Sequence, residues 1–187
     1  MTAAVLEGRL SWSGALPLEW RVLDRLPERD QLVRTDERNA ALLNALTLIE
    51  EAPARHAEEP SPLVAQMERL EAKFDLVLTL LTEALLPEAI APGPVPVSLS
   101  ARGLVFETGE PLEPGTVLQL GLHFSASLPR PVVLFGVVEA PEPGEEKQVS
   151  VAFRQLDPAV KERLERLVFR RHRRSIAQQR PRPPSEM

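Results

Sequence analysis

Ser98-Leu-Ser-Ala-Arg-Gly103, followed by the run Leu104-Val-Phe-Glu-Thr108, is the most informative segment of this sequence. A serine three residues before a glycine is typical of a tight turn, because the hydroxyl can bond to nearby backbone and glycine tolerates unusual backbone angles. The run after the turn is strand-like. The stretch therefore predicts a turn that leads into a strand, a form shared by ligand-binding loops and ordinary hairpins.

The C-terminal half of the chain has the pattern of an antiparallel β-structure. It follows a Pro-rich breaker at residues 91–97, and Gly- and Pro-rich connectors separate its apolar runs. The predicted strands are Val95–Leu99, Gly103–Thr108, Thr116–Phe124, Pro131–Glu139 and Gln148–Arg154. Short strands with frequent turn signals predict a small barrel or sandwich. A final helix is predicted from Ala159 to about Ala177, with an apolar face made of Val160, Leu164, Leu167 and Val168.

The N-terminal half predicts an arm followed by helices. Residues 1–27 are expected to form an irregular arm with a short strand near Val5–Trp12, because Gly14 and Pro17 interrupt the pattern. Residues 28–51 carry leucines at helical spacing and contain no proline, which predicts one uninterrupted helix. Residues 53–62 are rich in Pro, Ala and Glu and predict a linker.

The clearest periodicity lies between Ser61 and Pro87. Ser61 and Pro62 form a typical helix start. Apolar residues then follow at alternating spacings of four and three: Leu63, Met67, Leu70, Phe74, Val77, Leu81 and Ala84. This heptad seam predicts a helix that packs on another helix. One interpretation is an intramolecular hairpin with residues 28–51. The other is an intermolecular coiled coil that makes a homo-oligomer, from dimer to tetramer, and a bundle of paired hairpins would satisfy both.

Charge is unevenly distributed along the chain. From Ala159 to the C-terminus nine Lys or Arg stand against three Glu, a net of +6, so the rest carries −11 within a total of −5. Such a basic segment can contact phosphates or pair with acidic surface of its own protein. Phe169 is the one aromatic residue in the segment and the chain has no tyrosine. Because stacking side chains are missing, we expect no nucleic-acid partner.

Composition also narrows the class of function. No apolar run approaches the roughly 20 residues of a membrane span, so none is expected. The first residues lack a secretory pattern, and we expect a cytoplasmic protein. The three histidines, His56, His123 and His172, have no metal-ligand spacing, and there is no cysteine to assist them. With no recognisable catalytic triad or phosphate loop, we expect no enzyme, no catalytic residue and no metal.

Residues 98–156 resemble a PilZ domain, the bacterial cyclic di-GMP receptor module. Leu99–Leu104 is similar to the core of the family motif (Asp/Asn)-x-Ser-x-x-Gly. Further matching segments follow in the same order as in the family: Leu112–Leu118, Phe135–Val138, Val151–Leu156 and the helix segment Leu164–Arg174. The resemblance implies a six-stranded barrel with a C-terminal helix. It also implies a role in motility, adhesion or virulence signalling.

The match to ligand-binding PilZ proteins is incomplete. Those proteins carry an Arg-x-x-x-Arg pair upstream of the motif, which can clamp guanine edges and phosphates with bidentate hydrogen bonds. Here no arginine lies between Arg69 and Arg102, and Ser98 replaces the usual Asp or Asn, although Ser100 and Gly103 match. We therefore expect a degenerate motif, no cofactor and no cyclic di-GMP binding of the usual kind. The alternative is a cyclic di-GMP sensor whose phosphate contacts come from the C-terminal arginines: Arg170, Arg171, Arg173 and Arg174.

The expected protein belongs to the α+β class. Long N-terminal helices in a coiled coil or bundle precede a small antiparallel PilZ-like β-barrel and a C-terminal helix. The expected divisions are an arm (1–27), a helical oligomerisation module (28–88), the barrel with its helix (91–177) and a disordered tail (178–187). Such a protein would act by contact with an unidentified protein partner, not by catalysis.

Overall fold

Six antiparallel strands close into a barrel in the computed structural model of this chain. The strands are β1 (Trp12–Leu23), β2 (Pro94–Leu99), β3 (Gly103–Glu107), β4 (Val117–Leu122), β5 (Val132–Val138) and β6 (Gln148–Phe153), and the helices are α1 (Arg29–Glu51) and α2 (Pro158–Gln179). The order around the barrel is β1-β2-β3-β6-β5-β4. The structure describes residues 6, 10–51, 66, 67, 70, 73, 74, 92–125, 128, 130–141 and 148–179.

Strands β2 to β6 confirm the five strands predicted from the sequence, with ends that agree to within two residues. On β4 the alternation marks the barrel interior: Leu118, Leu120 and Leu122 are fully buried, whereas Val117 before them and Gln119 between them are partly exposed. The predicted C-terminal helix is also confirmed as α2. Its first turn is capped by the Asp157 carboxylate, which accepts the Ala159 N–H (2.8 Å).

Strand β1 corrects the prediction that residues 1–27 form an irregular arm, whereas residues 5 and 7–9 of the short strand predicted near Val5–Trp12 lie outside the described residues. Its first half, through Pro17, pairs with β2, and its second half, from Leu18, pairs with β4. Pro17 lies where the pairing partner of β1 changes from β2 to β4. The backbone N–H that proline lacks therefore interrupts no continuous ladder of hydrogen bonds. Gly14 also fits within the strand, because a Cβ there would lie 2.4 Å from the Trp12 ring. Gly14 and Pro17 therefore lie within β1 and do not end it.

The hydrophobic core fills the barrel and continues under both helices. The predicted apolar face of α2 is buried, and these residues are at most 1% exposed: Val160, Leu164, Leu167 and Val168. Helix α1 buries Leu43 and Leu46 and packs against α2 and β5. The two helices therefore form one layer on the barrel, and their arginines and acids meet beside it.

Helix α1 confirms the helix predicted over residues 28–51. Most of the second predicted helix, residues 61–86, lies outside the described residues, as do residues 1–5 and 7–9 of the arm and residues 180–187 of the predicted tail. Within the predicted second helix the described residues are helical: Gln66, Met67, Leu70, Lys73 and Phe74. The coiled coil stays a prediction. Among the described helices none is long and apolar enough to cross a membrane.

Candidate functional site

The Ser100 hydroxyl is engaged by its own turn. Its Oγ accepts hydrogen bonds from the backbone N–H groups of Gly103 (3.1 Å) and Arg102 (3.2 Å), and the Ser100 N–H donates to the Gly103 carbonyl (2.9 Å). The Arg102 carbonyl in turn accepts the Phe153 N–H (2.8 Å), which fastens the turn to the end of β6. Ser100 is only 1% exposed. The Ser-x-x-Gly element therefore stabilises the β2–β3 connection.

Ser98, the first position of the motif, contacts a neighbouring strand. Its Oγ lies 2.8 Å from the Ser13 Oγ on β1, and the two residues are directly paired in the ladder. A hydroxyl at this position reaches only the adjacent strand, whereas a carboxylate or amide would extend further and offer more acceptors. The side chains of Ser98 and Ser100 thus both have partners within the barrel.

Three of the four C-terminal arginines converge on one acid that the sequence analysis did not single out. Glu50, near the end of α1, has a side chain only 9% exposed. Its carboxylate lies 3.1 Å from Arg171 Nε, 3.4 Å from Arg170 Nε and 3.9 Å from Arg174 Nη1. Arg174 also donates to the Glu50 carbonyl. This group, which we call the Glu50 cluster, ties α2 to α1.

Arg171 is the most enclosed of these arginines. Its guanidinium donates to the Phe124 carbonyl (2.7 Å) and lies 5.1 Å from the ring centroids of both Trp12 and Phe124. Such a placement combines a charge-assisted hydrogen bond with cation–π contact. Arg173 differs, since it is exposed and lies over the Phe169 ring at 5.7 Å. The predicted arginine cluster therefore divides into three residues held by Glu50 and one at the surface.

The comparison with protein families decides the identity of this barrel. Residues 43–181 match a family model described as "Atypical PilZ domain, cyclic di-GMP receptor". The chain belongs to the atypical PilZ family. The resemblance predicted from Ser98–Leu156 is thereby confirmed, and the match extends to α2 and the end of α1. PilZ domains are receptor and binding domains, and no catalytic family is indicated.

A solved structure shares the fold of this atypical PilZ protein over nearly its whole length. It is a pathogenic protein from Xanthomonas campestris, described as a tetrameric PilZ domain self-assembled through an unusual helical bundle. The two chains are 27% identical with a TM-score of 0.70, and the alignment covers 92% of this chain and 93% of the other. No curated protein matches the chain.

Beside the degenerate motif, the PilZ barrel has an open cleft of about 550 Å³. It lies between the β2–β3 turn and α2, and its lining combines Phe169 and Leu10, which are 47% and 43% exposed, with the charged side chains of Arg102, Glu165 and Arg166. Arg166 is paired with an acid one helical turn earlier. The cleft therefore offers a mixed surface with one arginine, Arg102, that lacks a carboxylate partner within the described residues.

The described residues of the heptad seam are exposed. Met67 and Leu70 are each 56% exposed and Phe74 is 61% exposed, on residues that are helical. Leu63, Val77, Leu81 and Ala84 lie outside the described residues. Three large apolar side chains on one helical face, spaced three and four residues apart, form a surface that water disfavours.

Proposed function

We propose that this atypical PilZ protein is a non-catalytic, self-associating cytoplasmic module that acts through protein contacts in bacterial motility, adhesion or virulence signalling. It does not hold cyclic di-GMP in the way that ligand-binding PilZ domains do. The observation that carries the proposal is the exposed apolar face of Met67, Leu70 and Phe74. In the proposal, residues 28–88 supply the assembly module and the barrel presents the contact surface.

Energetics favour covering this face with another helix. Complete burial of a Leu, Met or Phe side chain contributes about 1.5–3 kcal/mol. Since each of the three is a little more than half exposed, burying the rest would contribute on the order of 1 kcal/mol per side chain and chain. The residues lie on a heptad seam, which is the pattern that matches a second helix along its length. The tetrameric helical bundle of the Xanthomonas campestris protein supports the same mode of assembly, because that alignment extends over both chains.

Cyclic di-GMP would lack its usual contacts in this chain, which is the second part of what we propose. No Arg-x-x-x-Arg pair precedes the Ser-x-x-Gly motif, and the Ser100 hydroxyl already accepts a hydrogen bond within its own turn. The alternative sensor would draw its phosphate contacts from the C-terminal arginines. A phosphate at Arg170 and Arg171 would have to displace the Glu50 carboxylate, which is already in contact with both. Because the displaced carboxylate would remain buried without its partners, this exchange is unfavourable.

A charge introduced into the seam tests the assembly. Leu70→Asp plus Leu81→Asp should dissociate the oligomer, because desolvating a carboxylate in an apolar helix contact is unfavourable. The control is Gln66→Asp, which adds one carboxylate at an exposed polar position of the same predicted helix. Light scattering after gel filtration should show a smaller particle for the double variant and an unchanged one for the control.

Calorimetry tests the ligand part separately. A cyclic di-GMP titration should give no binding tighter than about 10 μM, because losing two bidentate arginines removes several charge-assisted hydrogen bonds. Binding stronger than this would contradict the second part of the proposal. An oligomer that is unchanged by Leu70→Asp plus Leu81→Asp would contradict the first.

A further inference from the structure

A second cleft, lined by none of the residues of the Ser98–Gly103 motif, lies between α1 and the strands β1, β4 and β5. Its volume is about 470 Å³, which is within the range of small-molecule sites. Arginines from three separate parts of the chain line it: Arg21 on β1, Arg38 on α1, and Arg130 just before β5. We call it the arginine cleft.

The floor of the arginine cleft is a row of side chains across three strands. Arg21 pairs in register with Gln119 on β4, and Gln119 pairs in register with Phe135 on β5. The Arg21 Nη2 donates to the Gln119 Oε1 (2.7 Å), which orients the guanidinium along the row. An apolar wall beside the arginine side chains is formed by Leu42 from α1 and by Phe135, which is 5% exposed.

The three guanidiniums have no counter-ion among the described residues. No Asp or Glu lies among the described lining residues of the cleft, and none of the three arginines forms an ion pair with a described carboxylate. Glu19 lies two residues before Arg21 on the same face of β1, but its carboxylate lies 3.8 Å from His123. The Glu50 cluster shows the opposite arrangement, where arginines surround a buried acid. A concentration of positive charge on an otherwise acidic body favours an anion from solution.

The walls of the arginine cleft are held together by Asn39. Its side-chain amide donates to the Val133 carbonyl (2.7 Å), and its Oδ1 accepts the Val133 N–H (2.9 Å). Asn39 is 2% exposed, so this two-way contact fixes α1 against β5. The cleft is therefore formed before any ligand arrives, which reduces the entropy lost on binding.

We propose that the arginine cleft binds a phosphate ester of mononucleotide size. Guanidinium groups match phosphate oxygens through paired N–H donors, so Arg38 and Arg130 at the rim and Arg21 on the floor would hold the phosphate. The apolar wall of Leu42 and Phe135 accepts a flat, uncharged ring. This site is separate from the Ser98–Gly103 motif, and it does not depend on self-association.

Titrations of the full chain with GMP, AMP, guanosine and inorganic phosphate test the proposal. Calorimetry at low salt should detect GMP or AMP, with weaker binding of phosphate alone and of guanosine. The NMR signals of the Asn39 side-chain amide should shift with the same affinity, because this group lies at the cleft. Arg38→Gln should weaken nucleotide binding about tenfold to a hundredfold, and Arg38→Gln plus Arg130→Gln should abolish it.

Arg34→Gln is the matched control, since Arg34 is exposed on α1 one turn before Arg38 and is not part of the cleft lining. It should leave the affinity unchanged. Each variant is compared by thermal unfolding, which these exposed substitutions should leave near the wild-type value. The proposal is overturned if neither nucleotide binds at about 1 mM, a concentration that detects even weak sites. It is equally overturned if binding survives the double variant, or if inorganic phosphate binds as tightly as the nucleotides.

Discussion

Replacement of Glu50 tests how the two helices are held on the barrel. Glu50→Gln keeps the size of the side chain and removes the charge that Arg170 and Arg171 face at 3.4 and 3.1 Å. Those two arginine side chains are only 19% and 17% exposed, so water cannot fully replace the carboxylate. Because a buried charge is left without its partner, we expect a clear loss of stability.

The magnitude follows from the burial of the cluster. Breaking one side of a buried ion pair destabilises a protein by about 3–5 kcal/mol. Arg174 is 51% exposed and keeps access to water, which lowers the estimate for this site to roughly 3 kcal/mol. For a chain of this size each kcal/mol lowers the melting temperature by about 2–4 °C, so Glu50→Gln should lower it by roughly 6–12 °C.

Thermal unfolding followed by circular dichroism provides the assay, at one fixed protein concentration because assembly also affects the midpoint. The control is Glu162→Gln, which breaks an exposed ion pair with Arg166 whose side chains are 61% and 67% exposed. Exposed pairs of this kind contribute about 0–1 kcal/mol, so the control should melt close to wild type. A midpoint for Glu50→Gln equal to that of the control would refute the assignment of Glu50 as the anchor between α1 and α2.

Three further substitutions probe the barrel and its helices. Ser100→Ala should lower the free energy of unfolding by about 1–3 kcal/mol in urea titrations, because the buried Gly103 N–H loses its acceptor, and an unchanged value would contradict the structural role of the motif. Asn39→Ala should lower the free energy of unfolding by about 2–3 kcal/mol, because the Val133 N–H and carbonyl on β5 lose their hydrogen-bond partners. Thr35→Ala on the same helix is the control variant. Asp36→Asn should raise stability at neutral pH, because burial and then the Asp157 carboxylate raise the pKa of Asp36 above 3.8. The gain in the free energy of unfolding should shrink as the pH falls through the raised pKa, because the wild-type carboxyl then takes up a proton. A gain that does not change with pH would contradict this role of Asp36.

The sequence predicted the elements whose signals are local. Five strands and both described helices could be read from alternation, helical spacing and turn residues, because each element buries one face against the same core. Strand β1 was missed because Pro17 and Gly14 normally end strands. Pro17 lies at a change of pairing partner, which only the closed barrel creates.

The site could be predicted only in part. The Ser-x-x-Gly turn was visible as a short motif, and its missing arginines could be counted along the chain. The Glu50 cluster could not be predicted, because Glu50 and Arg171 are 121 residues apart and meet only through packing of α1 on α2. The arginine cleft likewise joins residues from three distant segments. One signal was available: Asn39 is a polar residue in line with the buried Leu43 and Leu46 on α1, and a buried amide needs partners.

Sedimentation equilibrium of the unmodified full chain measures self-association without any substitution. At tens of micromolar, where an apolar contact between helices should be populated, we expect a mass of two to four times the 20.7 kDa chain. The mass should fall toward that of one chain on dilution or with charge in the seam. A single species of 20.7 kDa at these concentrations would show that the chain does not self-associate.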